Sequence, residues 1–248
     1  MIEMGRFRFA PPARAAFIGG LCALGGIAAL SAQTTPAPAS TPAATPAVGA
    51  DAAPDESNDS PFVIAYRKAL IAFKLKTYDQ ADAAIDQAIK LDPKDARAPI
   101  LKGRIASALG KLDEAETLIK QGLALDPAST LGHRALGELH FHQRRYDAAR
   151  VAYLDAQRYG DTDPDLNLLV FYCDIGAKEL GEAQKIFVTF NSFDEKYPHY
   201  YFAKAALARA EGNDPAARKD LQDATVLYGN ELFARYAADY FFLFASKP

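Results

Sequence analysis

The sequence predicts an all-α fold: an α-α superhelix of stacked helix pairs, closed by a C-terminal capping helix. Three observations predict it. Apolar residues recur at helical spacing through segments such as AYRKALIAFKLK and QADAAIDQAIKL. Alanines fall at one fixed interval of 34 residues, at Ala81, Ala115, Ala149, Ala183 and Ala217. Other columns keep register with them. Four residues on stand Ile85, Ile119, Tyr153, Phe187 and Leu221, all large and apolar. Three further on stand Ala88, Gly122, Ala156, Phe190 and Ala224, and twelve before the alanine stand Ala69, Gly103, Gly137, Phe171 and Ala205, small in four cases of five. Small residues let two helices approach closely, and a large side chain one turn away fills the remaining space. A single pair cannot bury its own apolar face, but stacked neighbours can, which is why the pattern repeats.

The elements follow in chain order. Residues 1–32 read as a signal peptide: Arg6, Arg8 and Arg14 precede the apolar run Ala15 to Ala32, which ends in small residues. The alternative is an uncleaved anchor, since the run is just long enough to span a bilayer. Residues 33–60 are rich in Pro, Ala and Thr and almost free of large apolar side chains, which predicts a disordered tether. Five units occupy 61–229, at 62–95, 96–129, 130–163, 164–197 and 198–229. Ser60–Pro61 and Asp163–Pro164 each place a capping residue before a proline at the first helical position. Gly110, Gly212 and Asp214–Pro215 mark turns inside units, and Pro93 and Pro127 follow helix ends.

The fourth unit departs from the pattern, because Phe171 and Phe190 replace small residues and Tyr172, Phe187, Phe193 and Tyr197 crowd nearby. A local respacing of helices, with aromatics filling a wider gap, is the favoured reading; a pocket or partner site is the other. Residues 230–248 form the capping helix. Leu232, Phe233, Tyr236, Tyr240 and Phe244 supply its apolar side, and Glu231, Arg235 and Asp239 are expected to pair on a water-facing side. A dimer contact through Phe241 and Phe242 is the alternative.

Catalytic signatures are missing from the sequence: it has no glycine-rich phosphate loop, nucleophile elbow or paired-histidine metalloprotease motif. His133, His140 and His142 lack the i, i+3 or i, i+4 spacing of a helical metal pair, so neither a metal nor another cofactor is expected. Cys173 reads as a small buried apolar residue. A net charge of −3 gives no reason to expect a nucleic-acid partner, and the C-terminal helix is too short and too charged to span a membrane.

The 34-residue period and its columns, in constant register from Phe62 to Gly229, resemble the tetratricopeptide repeat. That resemblance implies binding rather than catalysis, with a protein or peptide partner held in a concave groove lined by the first helix of each unit. By repeat position the groove would hold Tyr66 and Phe73, then Arg97 and Arg104, then Arg134, Glu138, Phe141 and His142, and finally Tyr172, His199, Phe202 and Arg209. Guanidinium groups beside aromatic rings suit an acidic or C-terminal peptide. Glu138, four residues from Arg134 and aligned with Arg104, is placed to neutralise one of them. The subgroup that clamps chaperone tails carries Lys and Asn where this chain has Tyr66 and Leu70. The expected function is therefore a non-enzymatic scaffold or adaptor, exported to a cell envelope such as the bacterial periplasm. The alternatives are a structural subunit that assembles through its ends and an accessory subunit of an envelope enzyme or secretion machine.

Overall fold

The computed structural model describes residues 59–245. The predicted leader, most of the tether and residues 246–248 lie outside them. Ten helices and no strand occur among the described residues. They run α1 (Pro61–Lys74), α2 (Tyr78–Leu91), α3 (Arg97–Ala108), α4 (Leu112–Leu125), α5 (Thr130–His142), α6 (Tyr146–Arg158), α7 (Asp165–Ala177), α8 (Leu180–Phe187), α9 (His199–Ala210) and α10 (Asp214–Phe244). Consecutive helices pack as pairs, one pair to each predicted unit. None is long and apolar enough to cross a membrane.

The periodic columns are the helix contacts. All five alanines of the leading column are buried. At Gly103 a Cβ would stand 2.7 Å from Ile119 Cγ1 and 2.9 Å from the Ala115 carbonyl oxygen, so the approach of α3 to α4 leaves no room for a side chain. Ala115→Leu is therefore expected to overpack this contact and cost about 1–3 kcal/mol. Ala39→Leu in the tether should cost nothing measurable, and equal melting temperatures for the two variants would overturn the register.

Each unit turns in the same way. Lys76, Gly110, Arg144, Lys178 and Gly212 all adopt left-handed backbone angles, with φ between 58° and 81°. The residue after each donates its N–H to a carbonyl five positions back, as in Thr77 to Ala72 (2.9 Å), Arg145 to His140 (2.9 Å) and Asn213 to Ala208 (2.7 Å). This is the hydrogen-bonding pattern of a left-handed helix C-terminus. Between units, Ser60 Oγ accepts from the Val63 N–H at 3.3 Å, as the capping pattern predicts. Asp163 instead bonds the Asp165 N–H at 2.9 Å, so α7 starts just after Pro164 and not at it.

Three features set where a ligand could sit. First helices of neighbouring units touch, α1 with α3, α3 with α5 and α7 with α9, and Arg134 on α5 reaches the turn before α7, so that they line an inner side. The fourth unit's second helix, α8, has only 8 residues where its counterparts in units one to three have 13 or 14. Phe190 leaves the helix there and meets Phe171 edge-on at 6.1 Å, while Phe187 stacks on Tyr200 at 5.4 Å. The fourth-unit aromatics thus fill a respaced gap. Finally, α10 bends at Gly229 (φ 77°, ψ 165°), a conformation essentially confined to glycine. Residues 214–228 complete unit five. Residues 230–244 turn back along the inner side.

Candidate functional site

The inner side has an open half and a covered half. In the open half, α1 presents Tyr66 and Phe73, α3 presents Arg97 and Arg104, and α5 presents Glu138 and His142. The Arg97 guanidinium lies 5.2 Å from the Phe62 ring centroid and 5.4 Å from that of Tyr66. Its Nη2 donates to Asp95 Oδ2 at 2.6 Å and its Nε to Oδ1 at 2.9 Å. The Arg97 hydrogen bonds hold the Asp95 carboxyl below its ordinary range, while burial pushes the Tyr66 phenol up even with two arginines nearby. Arg104 sits 5.2 Å over Phe73 and 3.3 Å from Glu138, beside a cleft of about 290 Å³ that reaches Leu112 and His142.

This geometry corrects the expected role of the arginines. Glu138 does neutralise Arg104, and Arg97 is already forked onto Asp95. Both are ion pairs laid on aromatic rings, not free anchors for a carboxylate. Arg134 lines the groove but is not free either. It donates to Asp163 Oδ2 at 2.7 Å and lies 3.4 Å from Asp161 Oδ2, which clamps α5 to the turn before α7. Burial opposes its charge, but those two carboxylates hold the guanidinium above its ordinary range.

In the covered half, the residues expected to be open to a partner are not exposed. Phe141, Tyr172 and Phe202 point at the groove, yet all three are buried. Residues 230–244 of this chain lie over them. Phe242 meets Phe141 at 5.6 Å and His142 at 5.0 Å. Phe202 is ringed by Phe233 (5.3 Å), Tyr236 (5.9 Å) and Tyr240 (6.1 Å). The expected cap therefore does pack its apolar side on the repeats, but across units three to five and not on the last one alone.

Asp165, at the start of α7, ties this helix down. It accepts from the Tyr236 hydroxyl (2.6 Å) and Arg235 Nη2 (2.9 Å), and His199 Nε2 lies 2.9 Å away. Burial works against the Asp165 charge, but the hydrogen bonds from His199 and Tyr236 outweigh it and keep the carboxyl below its ordinary range. Arg144 Nη2 donates to the Ala245 carbonyl at 2.8 Å and the Phe242 carbonyl at 3.3 Å, and Arg209 lies over Phe244 at 5.1 Å. Arg235 thus pairs with Asp165 and not with Asp239. Asp239 does not face water as expected: burial, then the nearby Glu138 and Asp165 charges, raise its carboxyl, with His142 as a partial offset.

His133, His140 and Cys173 are held in packing contacts. His133 stacks on Tyr159 at 5.0 Å, and buried His140 bonds Gln143 at 3.2 Å. Burial pushes the Cys173 thiol well up, so it is inert at neutral pH. Sequence reasoning missed Asp165 and Arg144 as binding groups and placed Phe242 only in a possible dimer contact. All three act through residues 230–245, which lie beyond the repeat period and so carry no column signal.

Known proteins share this architecture. The profile of the tetratricopeptide repeat matches residues 66–129 and again 100–164. No curated protein matches the sequence. Among solved structures, the chain is similar to a thermophilic TPR protein of Thermus thermophilus, at 21% identity and a TM-score of 0.57, covering 73% of this chain and 99% of that one. It is similar to YrrB, described as a TPR protein with an unusual peptide-binding site, at 17% identity and a TM-score of 0.51, covering 70% and 89%. It is also similar to MamA, at 19% identity and a TM-score of 0.51, covering 75% and 98%. At these identities the likeness speaks for the fold. With the family profile on units one to three and the same helix-pair geometry carried through units four and five, this chain is a tetratricopeptide repeat protein.

Proposed function

We propose that this protein is a non-enzymatic scaffold or adaptor of a cell envelope, holding a protein or peptide partner in the open half of its groove. The observation that carries the reading is the uncovered floor of Tyr66, Phe73, Arg97, Arg104 and His142, where stacked aromatic and guanidinium planes border the cleft beside α5. Such surfaces take an extended or helical segment through apolar contact and shared hydrogen bonds. YrrB, of the same fold, is described by a peptide-binding site. Tyr and Arg at an interface centre cost about 2 kcal/mol or more each when truncated. A Tyr66→Ala, Arg104→Ala double variant is therefore expected to lose most of its partner in a pull-down from envelope extract. A folded variant that keeps every partner at full strength would move the binding site elsewhere.

The envelope location rests on the charged start and apolar run of residues 1–32. Protein made in a Gram-negative host should begin near Gln33, and a product that begins at Met1 and pellets with membranes would make that run an anchor. Assembly through the ends is a second reading, because Ile64, Ile71 and Leu75 form a half-exposed to exposed apolar stripe on α1. Light scattering on a concentrated sample tests it, and a monomer would remove it.

A further inference from the structure

The chain fills half of its own groove, and the fit between helix and groove is incomplete. Residues Phe233, Tyr236, Ala237, Tyr240 and Leu243 form one stripe at helical spacing, and that stripe enters the core of units three to five. An amphipathic helix laid into an apolar groove is a recurring mode of partner recognition. Here the occupant is joined to the array through the single glycine-only conformation at Gly229, so it can leave without unfolding residues 214–228.

The polar side of the contact is poorly matched. A cleft of about 190 Å³ between helix and groove brings together Arg134, Glu138, Asp165, Tyr172, Arg235 and Asp239, and Arg134 is taken by Asp161 and Asp163. Arg235 is taken by Asp165. Asp239 therefore faces Glu138 and Asp165 across the cleft without an ion-pair partner of its own. The Tyr172 hydroxyl is fully buried without a hydrogen-bond partner. An unpartnered buried hydroxyl and a carboxylate set against carboxylates both weaken the seat.

We propose that the groove of units three to five is a helix-binding site, which the chain keeps shut with its own residues 230–244. The partner it fits is an amphipathic helix with aromatic residues at the spacing of Phe233, Tyr236 and Tyr240, and a basic residue where this chain has Asp239. A lysine there replaces a carboxylate set against carboxylates and shares Glu138 with Arg104. This site meets the open half at Glu138 and His142, but its apolar seat at Phe141, Tyr172 and Phe202 lies outside that half, so either one can fail without the other.

The test uses the full chain and two labelled peptides of residues 230–245, one with the native sequence and one carrying Asp239→Lys. Apparent affinity in trans falls by the fraction of time the groove stands open. The full chain should therefore bind the lysine peptide about tenfold more tightly than the native one. A Tyr236→Ala, Tyr240→Ala chain, weakened only on the covering helix, should bind both peptides at least about tenfold more tightly than the unaltered chain. Equal binding of the two peptides, or no binding by the weakened chain, would overturn the proposal. So would dimerisation of the weakened chain, which would make a second copy the occupant. Hydrogen exchange on the unaltered chain gives a check free of substitutions: amides of 230–244 should exchange at least about ten times faster than those of α9. Exchange at the α9 rate would make the helix a fixed part of the core.

Discussion

Arg150→Met is expected to destabilise the protein by about 3 kcal/mol at neutral pH, the lower end of the range for a broken buried ion pair. Arg150 Nε donates to Asp174 Oδ1 at 2.7 Å, joining α6 to α7. Asp174 is 1% exposed, and its Oδ2 has no partner. Methionine keeps the apolar stem but leaves that carboxylate buried and unpaired. The arginine side chain is itself 35% exposed, which holds the cost toward the low end. The pH dependence has a definite sign. Burial already raises the Asp174 carboxyl above its ordinary value, with Arg150 as the main offset. A raised folded value means that stability is greatest below the unfolded value and is lost as pH climbs through the folded one. Removing Arg150 lifts the folded value further, so the deficit is largest at neutral pH and shrinks as pH falls toward the ordinary aspartate range. Urea unfolding at about pH 7.5 and about pH 4.5 measures it. A deficit that does not change with pH would show that lost packing, not the stranded carboxylate, is the cause.

Phe202→Ala is expected to cost about 3–5 kcal/mol, as for other fully buried aromatics. Its ring holds α9 against Phe233, Tyr236 and Tyr240 at once, so truncation opens the core of unit five and loosens the covering helix together. Phe193, which is 88% exposed in the same aromatic-rich region, is the control and should be neutral. Thermal melts of the two variants decide the matter. If they coincide, the core has been placed wrongly.

The period was legible because it sets the same packing problem five times. Ala81 and its four counterparts meet the same close approach, so their small size survives even where neighbouring columns drift. The turns were only partly legible. Gly110 and Gly212 announce themselves, but Lys76, Arg144 and Lys178 reach the same left-handed angles with no side-chain signature, because main-chain hydrogen bonds define that turn.

The groove shows the same division. Repeat position put Tyr66, Phe141, Tyr172 and Phe202 on one side of the first helices, since the helical period fixes direction. It said nothing of what lies across them. Residues 230–244 read as amphipathic, but an apolar stripe does not say which surface receives it, and the charge on Asp239 argued for water. The partner of Arg97 is two residues away at Asp95. Those of Arg134, at Asp161 and Asp163, belong to another turn and become visible only when the chain is folded.

The bond from Arg144 to the Ala245 carbonyl also bears on the order in which the protein can be completed during synthesis. The first core cluster, from Phe62 to Ile105, draws only on neighbours in sequence and can close while the rest of the chain is still being made. The cluster of units three to five includes Tyr236, Ala237, Tyr240 and Leu243, so it cannot close until those residues leave the ribosome. Until then Phe141, Tyr172 and Phe202 stay bare on the nascent chain. The newborn protein thus passes through a stage with one finished end and one sticky end, and it is the sticky end that is open to aggregation.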